Sequence, residues 1–415
     1  MALNFTTADL ALKDDYQPAI REQLNNSIML LAQVETNTDS VEGREAVLAL
    51  HTGRNTGVGA RTEGGTLPTA GQQAYTNIRI PVKFNYGRLE VSGPIIEGMN
   101  SDRGSWTRAI DSESKGIVQD LKRDVNRQLH TPSNGVIGTV VSVSTNTVTF
   151  ATEAEVRRQE VGQSFDFYDG DFASDDTGEV VVSRDISAKT VTYTGLSGVD
   201  AGDWVVRTGV TMGGAAVSSK ATEDALQEIH GLEDIVTDGT GTAGTSDGLA
   251  HPWLHGVDGT ATSIWQSYES AVGAAPTDSV FELAMDEINL ASGEDPDLII
   301  TSHKAARAFA ATLKSQKRFS NTVDLKGGFK GLSVQTGRGE IALYSERDTL
   351  DDVAFLVNTS CLTHWVMSDW SFMDRDGAVL NRKSNEDAYE ATLYKYHEFG
   401  TDARNRHGKL TGLTV

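Results

Sequence analysis

The residue types that could bind a nucleotide cofactor occur in a Gly-rich segment, GTGTAG, at positions 239–244. Its letters match a dinucleotide-binding fingerprint, in which a strand runs into the glycines and a helix begins after them. No apolar strand leads directly into this segment, and the TSDGLAHPW that follows at 245–253 cannot form the first turn of a helix. We therefore interpret the segment as a flexible loop and predict no cofactor.

Two other segments carry the residue types that bind metals. His251 and His255 have the spacing of a helical zinc site, but Pro252 and the lack of an adjacent Glu disfavour it. Acids are dense in FDFYDGDFASDDTGE at 165–179, which lacks the Gly and Glu spacing of an EF-hand loop. We predict no metal site and leave open only adventitious cation binding at the acidic segment.

Residues that could act as nucleophiles are not set in a recognisable motif. No Ser stands in the strand-to-helix context of a G-x-S-x-G elbow, since the GTSDG at 244–248 lies in the loop described above. The single cysteine, Cys361, stands in the largely apolar AFLVNTSCLTHWVM at 354–367. We interpret Cys361 as a small buried hydrophobic residue, and one cysteine excludes an internal disulfide framework. The histidines form no acid–base pattern. The sequence therefore predicts no catalytic residues and a protein that is not an enzyme.

Length and charge narrow the class further. A chain of 415 residues predicts two or three subdomains. The net charge of −22 disfavours binding to nucleic acid or to an anionic membrane. No apolar run approaches the ~18 residues of a membrane span, and residues 1–16 lack the features of a signal peptide. We expect synthesis in the cytoplasm.

The charge is distributed unevenly along the chain. Residues 221–300 carry sixteen acids and no Lys or Arg, whereas residues 301–347 carry nine bases and three acids. Ordinary solvated faces would explain this pattern. Complementary surfaces that meet between subunits would explain it too, because charge asymmetry sets the register of partners.

The sequence pattern in the first third of the chain indicates a subunit that completes its packing against neighbouring subunits. Apolar residues at helical spacing predict a helix over 10–33, and strands are predicted at 45–51 and 75–92 on either side of a Gly-rich stretch. In the second strand, alternation places on one face Ile78, Ile80, Val82 and Phe84. The stretch between the strands has too few apolar side chains to offset its ordering entropy without a partner surface.

A long helix is predicted next, over 101–130, with a narrow apolar stripe: Trp106, Ile110, Ile117, Leu121, Val125 and Leu129. Residues 135–209 then predict β-hairpins with a small core of their own. A mixed α/β part follows, with helices over 277–291 and 302–313 and strands over 297–301, 341–345 and 353–357. The tail after Thr363 predicts strands, and its aromatic residues are interpreted as sheet core.

The order of these elements resembles the major capsid proteins of tailed bacteriophages, the family that shares the Hong Kong 97 capsid fold. EGGTLPTAGQQAYTNIRIPVKFNYGRLEVSGPIIEG (63–98) is similar to the family's Gly-rich tip and returning strand, and DLKRDVNRQLH (120–130) to the end of its spine helix. One departure is the HTPSNGVIG at 130–138, where family members often have a Gly-Asp-Gly-like turn. This departure leaves the role of the β-rich segment open.

The resemblance implies an α+β fold of the Hong Kong 97 type, with an N-terminal arm, an extension loop, a peripheral domain, an axial domain and an inserted β-rich module. Its expected parts are 1–44 as N-terminal arm, 45–98 as extension loop, 99–132 as spine helix of the peripheral domain (completed by strands from about 363–402), 133–210 as β-rich insertion domain, 211–362 as axial α/β domain and 403–415 as C-terminal strand.

The resemblance also implies a structural protein that self-assembles into pentamers and hexamers of an icosahedral shell around packaged double-stranded DNA. The expected location is the virion, after synthesis in the host cytoplasm. The expected partners are other copies of the chain, a portal protein, a separate scaffolding protein and, as a further candidate, a decoration protein, with no membrane and no sequence-specific DNA binding.

Particular residues are predicted to make these contacts. Predicted contacts with neighbouring subunits are Arg61, Glu63, Arg79, Lys83 and Arg88. Residues predicted to pack the spine helix are Trp106, Ile110, Leu121 and Val125. Two alternatives stay open: an encapsulin-like compartment shell, and another virion part such as a tail-tube or decoration protein.

Overall fold

A computed structural model describes most of the chain. The described residues are 28–39, 41, 43–92, 103–210, 212, 217, 219–315, 322–324, 330–337, 339–374, 379, 381–383 and 386–415. Only the backbone is described at 103–112, 114, 314, 315, 322–324, 330 and 331. Most of the helix predicted over 10–33 lies outside the described residues.

Of the α-helices in the described part, the three longest lie near their predicted positions, whereas the short helix at Glu153–Arg157 lies in a segment predicted to form β-hairpins. The helices occupy seven segments of the described residues. They are α1 (Met29–Gln33), α2 (Arg103–Gln128), α3 (Glu153–Arg157), α4 (Lys220–Ala225), α5 (Leu232–Ile235), α6 (Asp278–Ser292) and α7 (His303–Ser315). Local signals explain the bounds of α6: Thr277 caps its first turn by accepting from the Val280 N–H, and Gly293 ends it in the left-handed conformation.

The strands account for most of the remaining regular structure. They are β1 (Glu35–Asn37), β2 (Glu45–Gly53), β3 (Ala74–Pro81), β4 (Lys83–Ser92), β5 (Val136–Ser144), β6 (Thr147–Phe150), β7 (Ser164–Tyr168), β8 (Ser174–Asp185), β9 (Thr190–Tyr193), β10 (Trp204–Arg207), β11 (Trp253–Leu254), β12 (Val257–Asp258), β13 (Tyr268–Ala271), β14 (Leu298–Ser302), β15 (Thr322–Asp324), β16 (Lys330–Thr336), β17 (Gly339–Glu346), β18 (Ala354–Val357), β19 (Leu362–Phe372), β20 (Asn381–Arg382), β21 (Ala388–Thr401) and β22 (Gly408–Thr411).

The long helix α2 packs on a five-stranded sheet. The sheet has the order β1-β19-β21-β20, and β4 pairs with β21 along ten residues. Val118, Leu121 and Val125 of α2 lie in one apolar cluster with Leu89 and Leu393 of the sheet. The part of the narrow stripe whose side chains are described therefore packs on a single sheet face, as expected for a helix with charges on its other sides.

The strand predicted over 75–92 is two strands. Val82 separates β3 from β4, and the buried face changes there: Ile78 and Ile80 are buried in β3, whereas Phe84 is exposed and Lys83 is buried in β4. The prediction of one continuous face is therefore wrong beyond Val82. Because strand side chains alternate with a period of two, a one-residue shift moves every later side chain to the other face.

Residues 136–207 form a closed barrel with the strand order β10-β5-β6-β9-β8-β7. Its interior is a separate apolar cluster that includes Phe165, Phe167 and Tyr193. The first and last strands pair, with Val206 opposite Val136, so the chain enters and leaves the barrel at adjacent points. Residues 136–207 are therefore rich in β-strands, and their role as an inserted domain stays a prediction.

The mixed α/β part is a seven-stranded sheet of order β13-β22-β18-β14-β17-β16-β15. Helices α6 and α7 cover one face, where the rings of Phe281 and Phe309 lie 5.6 Å apart. The central strand β14 is buried throughout: Ile299 packs with the helices, while Leu298 and Ile300 join the main core on the other face. This explains why its first three residues are all apolar.

Candidate assembly surface

Strands β2 and β3 form a long hairpin that is anchored only at its base. They pair from Glu45 opposite Pro81 to Gly53 opposite Ala74, and Ala46, Ile78 and Ile80 are buried in the main core. From residue 51 to residue 77 no side chain is buried. A two-stranded hairpin without further packing is at best marginally stable. The outer half of this hairpin therefore lacks a core of its own.

The loop between the two strands, residues 54–73, is held by polar and backbone contacts. The Asn55 Oδ1 accepts from the Gly57 N–H at 2.7 Å, and the Arg61 Nε donates to the Thr66 carbonyl at 3.1 Å. A Cβ on Gly71 would lie 2.5 Å from the Thr56 Oγ1. Glycine at this position lets the two ends of the loop lie close to each other, but their contact buries no apolar side chain.

Several apolar side chains on this hairpin and loop are unusually exposed. Val58 is 80% exposed, Leu67 81% and Tyr75 63%. Single exposed apolar residues are common on protein surfaces, but three on one segment without a core are typical of a contact surface. We call residues 45–81 the hairpin arm.

Four of the five predicted contact residues lie at the surface. Arg61 and Glu63 are exposed in the loop. The Arg79 Nη1 lies 3.0 Å from the Glu45 Oε1, and Arg88 pairs with Glu390. Exposed pairs of this kind contribute little to the stability of the chain. Contact of these four residues with a neighbour stays a prediction.

Lys83 is not placed to contact a neighbour. Its side chain is 4% exposed, and its Nζ donates to the backbone carbonyls of Glu223 at 3.2 Å and Leu226 at 2.5 Å. Burial lowers the pKa of Lys83, an effect that nearby carboxylates partly oppose. The prediction for Lys83 is wrong because the change of face at Val82 turns its side chain inward.

Two of the four residues predicted to pack the long helix have described side chains. Leu121 and Val125 are buried against the sheet, and a Cβ on Gly87 of β4 would lie 2.8 Å from the Leu121 Cδ1. The absence of a side chain at Gly87 therefore lets the helix approach the strand closely. The side chains of Trp106 and Ile110 lie outside the described residues.

The aromatic residues of the tail divide between the two faces of the sheet. The buried ones are Trp365, Trp370, Phe372 and Phe399. Tyr394 and Tyr396 are half-buried on the opposite face, where the ring of Tyr396 lies 5.0 Å from that of the exposed Phe84. The prediction that the whole group packs as core is therefore wrong for these two tyrosines.

Two buried ion pairs are not apparent from the sequence. Arg127 of α2 lies 2.5 Å from Glu228 and 3.1 Å from Asp124. Burial alone would lower the pKa of Arg127, but these two carboxylates raise it above its ordinary value. Arg158 lies 3.0 Å from Glu233, and both are fully buried. These partners are 101 and 75 residues apart along the chain, so no local pattern reveals them.

These ion pairs also bear on the acid-rich segment 221–300. Glu228 and Glu233 are buried and paired with arginines of the same chain. Asp234 and Asp247 are buried beside His251. These four acids are therefore satisfied within the chain and cannot form part of a charged surface between subunits.

Comparisons with known proteins find likeness in structure alone. No family model matches the sequence, and no curated protein matches it. A chain of the cyanophage A-1(L) capsid asymmetric unit has 12% identity and a TM-score of 0.51, covering 96% of this chain and 93% of that chain. A capsid chain of an empty GTA particle has 11% identity and a TM-score of 0.46, covering 100% of both chains.

A chain of the holo-SrpI encapsulin complex from Synechococcus elongatus PCC 7942 aligns less completely. It has 12% identity and a TM-score of 0.28, covering 35% of this chain and 52% of that chain.

In the part of the chain that the structure describes, no helix is both long and apolar enough to cross a bilayer. The agreement with the cyanophage chain over nearly the whole length shows that this chain has the mixed α+β fold of a phage capsid protein.

Proposed function

We propose that the chain is the structural major capsid protein of a tailed double-stranded DNA virus. The observation that carries the proposal is the hairpin arm: a long extended segment without a core, on a chain with the fold of a phage capsid protein. A monomeric enzyme gains nothing from such an arm, whereas a shell subunit can complete its packing by laying it on the next copy.

In this proposal the described elements take the roles of the Hong Kong 97 capsid fold. The hairpin arm belongs to the extension loop, and α2 is the spine helix of a peripheral domain built on the five-stranded sheet. The seven-stranded sheet with α6 and α7 is the axial domain, and the barrel is an inserted domain. The final strand, β22, completes the axial sheet between β13 and β18.

The arm makes head-to-tail contacts, which close into rings when the rotation between copies is right. Pentamers and hexamers of this kind build an icosahedral shell. Burying Val58, Leu67 and Tyr75 on the neighbour supplies apolar contact area. Arg61, Glu63, Arg79 and Arg88 set the register through charge complementarity.

The shell encloses double-stranded DNA without binding its sequence. Because each copy has a net charge of −22, the subunit does not hold the DNA by neutralising its phosphates. A portal protein, a separate scaffolding protein and a decoration protein are the proposed partners. The protein is made in the host cytoplasm and resides in the virion.

The decisive experiment is electron microscopy of the purified full chain. We expect closed icosahedral shells for the wild type, and loss of shells when residues 55–72 are replaced by a short Gly-Ser linker. The double charge exchange Arg61→Glu with Glu63→Arg keeps the net charge and should lower shell yield several-fold. Because both residues are exposed, the melting temperature of unassembled subunits should not change.

Particle shape and contents separate the proposal from its alternatives. Tubes would indicate a tail-tube protein, and shells that capture an enzyme cargo would indicate an encapsulin-like compartment. Unchanged shell formation after loop replacement would contradict the role given to the hairpin arm.

A further inference from the structure

A cluster of buried titratable side chains lies beneath the base of the hairpin arm. Glu223 belongs to α4, His230 lies between α4 and α5, and His255 occupies the turn between β11 and β12. Each of the three is at most 2% exposed. The turn is tied directly to the arm, because the Arg79 N–H donates to the His255 carbonyl at 2.8 Å. The capsid role proposed above makes no use of this cluster.

The polar atoms of the cluster converge at metal-binding distances. One ligand atom from each residue lies within 4.8 Å of the others. The Glu223 Oε1 is 3.4 Å from the His230 Nε2 and 3.8 Å from the His255 Nδ1. A tetrahedral zinc ion with bonds of about 2.0–2.1 Å separates its ligand atoms by roughly 3.3 Å. The observed spacings are near that value.

A second carboxylate orients His230 for this role. The Glu398 Oε1 accepts from the His230 backbone N–H at 2.8 Å. The Glu398 Oε2 lies at ion-pair distance from the His230 Nδ1, 3.3 Å, without the geometry of a hydrogen bond. A carboxylate on one ring nitrogen leaves the lone pair of the other nitrogen free to bind a metal. Here the free nitrogen is Nε2, the atom that faces Glu223.

His255 supplies an independent observation. Among the residues that the structure describes, neither of its ring nitrogens has a hydrogen-bond partner, although the side chain is fully buried. An unpaired buried polar group costs about 1–3 kcal/mol. A metal ion bound to the Nδ1 would remove that cost on the side that faces Glu223.

The two buried carboxylates of this region, Glu223 and Glu398, also favour a bound cation. In the described part of the chain, neither the Glu223 nor the Glu398 carboxylate lies within ion-pair distance of a Lys or Arg. The buried cations nearby, Lys83 and Arg404, bind backbone carbonyls instead. Buried carboxylates need compensating positive charge. Lys83 and Arg404 supply part of it at longer range, and a proton on His230 or a bound cation would supply it next to Glu223.

We propose that Glu223, His230 and His255 bind a divalent transition-metal ion of the zinc type, with Glu398 as the residue that positions His230. Three protein ligands leave one position for water. The ion fastens the β11–β12 turn to α4 and so stiffens the support of the hairpin arm. This site does not depend on the proposed capsid function.

The test is metal analysis of the full-length protein, expressed with added zinc and passed through a chelating resin. We expect about one metal ion per chain. After unfolding with EDTA and refolding with Co²⁺, the absorption bands of tetrahedral cobalt should appear in the visible range. Glu398→Gln should weaken metal affinity by about 10–100-fold, since it only positions a ligand.

The ligand variant is His255→Asn, because Asn tolerates the left-handed backbone of this position, where φ is 54°. It should abolish both the bound metal and the cobalt spectrum. The matched control is His407→Gln, since His407 is also fully buried but both of its ring nitrogens have hydrogen-bond partners. This control should keep the metal.

Two results would overturn the proposal. One is wild-type protein that holds no metal as purified and binds neither zinc nor cobalt on refolding, which would assign the positive charge to protonated His230. The other is a His255→Asn protein with unchanged metal content, which would place the ion elsewhere. If His255→Asn fails to fold, the cobalt spectrum of the wild type and the affinity of Glu398→Gln still decide the question.

Discussion

At the scale of single residues, buried polar side chains hold the irregular segment 226–262 in place. The guanidinium of Arg404 is fully buried and donates to the carbonyls of Ile235, Asp234 and His251 at 2.8–3.0 Å. Burial lowers the pKa of Arg404 to about 10, with nearby carboxylates opposing the effect. Because backbone carbonyls in a loop need donors, this one side chain replaces the hydrogen bonds that regular structure would supply.

His251 makes the stability of the chain depend on pH. Its Nδ1 lies 3.0 Å from Asp234 and its Nε2 lies 3.1 Å from Asp247. Burial alone would lower the pKa of His251, but the two carboxylates raise it to about 9. Since this pKa is raised on folding, the stabilisation is complete below the unfolded pKa of about 6.5 and is lost as the pH rises through 9.

We expect the His251→Gln variant to lose on the order of 3 kcal/mol of unfolding free energy at pH 6 relative to the wild type, and much less at pH 10. Urea unfolding of unassembled subunits across this range measures the difference. Subtracting the wild-type value from the variant value at each pH cancels the contribution of other titrating groups. One such group is Lys395, because burial lowers its pKa to about 8. A difference that does not change with pH would contradict the charged state of His251.

At the scale of elements, the contact of α2 with β4 depends on the pairing of a large and a small residue. The stripe on α2 is narrow, so few side chains anchor a helix of 26 residues. Leu121 occupies the space above Gly87, with Ile117 beside it. Close packing of this kind makes a change of even one methyl group measurable.

Leu121→Ala should lower the unfolding free energy by about 2–5 kcal/mol through the cavity it leaves. Gly87→Ala should cost about 1–3 kcal/mol through overpacking. The double variant should lose less than the sum, because the new methyl group fills part of the cavity. Urea unfolding tests this, with Leu290→Ala as the control: Leu290 is 78% exposed on α6 and should change stability by less than about 0.5 kcal/mol. Strict additivity would contradict the proposed contact.

At the scale of the whole molecule, stability is concentrated away from the hairpin arm. The main core joins the five-stranded sheet to one face of the seven-stranded sheet, and the barrel has its own core. The arm contributes only its base to the main core. Local opening costs least where few apolar contacts are buried. The outer part of the arm should therefore be the least protected of the described segments in a free subunit.

Hydrogen exchange followed by mass spectrometry tests this distribution. Amides of the loop 54–73 should exchange within seconds in free subunits, while those of β14 stay protected. On assembly into shells, the loop amides should become protected by at least about tenfold, because the neighbouring subunit covers them. Equal exchange in subunits and shells would mean that the arm does not contact a neighbour.

Patterns of short range were sufficient to predict much of this molecule. The stripe from Ile117 to Leu129 predicts the position of α2 and the side that it buries, because helical periodicity repeats within a few residues. Alternation predicts the strands of residues 136–207 in the same way. The composition of the loop 54–73 alone predicts that it buries nothing, since it holds too few apolar side chains.

Only the tertiary structure decided the long-range features. The change of face at Val82 buries Lys83 and exposes Phe84, and no residue type marks it. Glu223 and His230, His255, and Glu398 converge from three separate parts of the chain. The periodicity of apolar residues along the sequence carries no information on such long-range contacts, because they depend on how helices and strands pack against one another. The sequence by itself determined which segments are helical, extended or uncovered, and the packing of those segments decided which side chains meet.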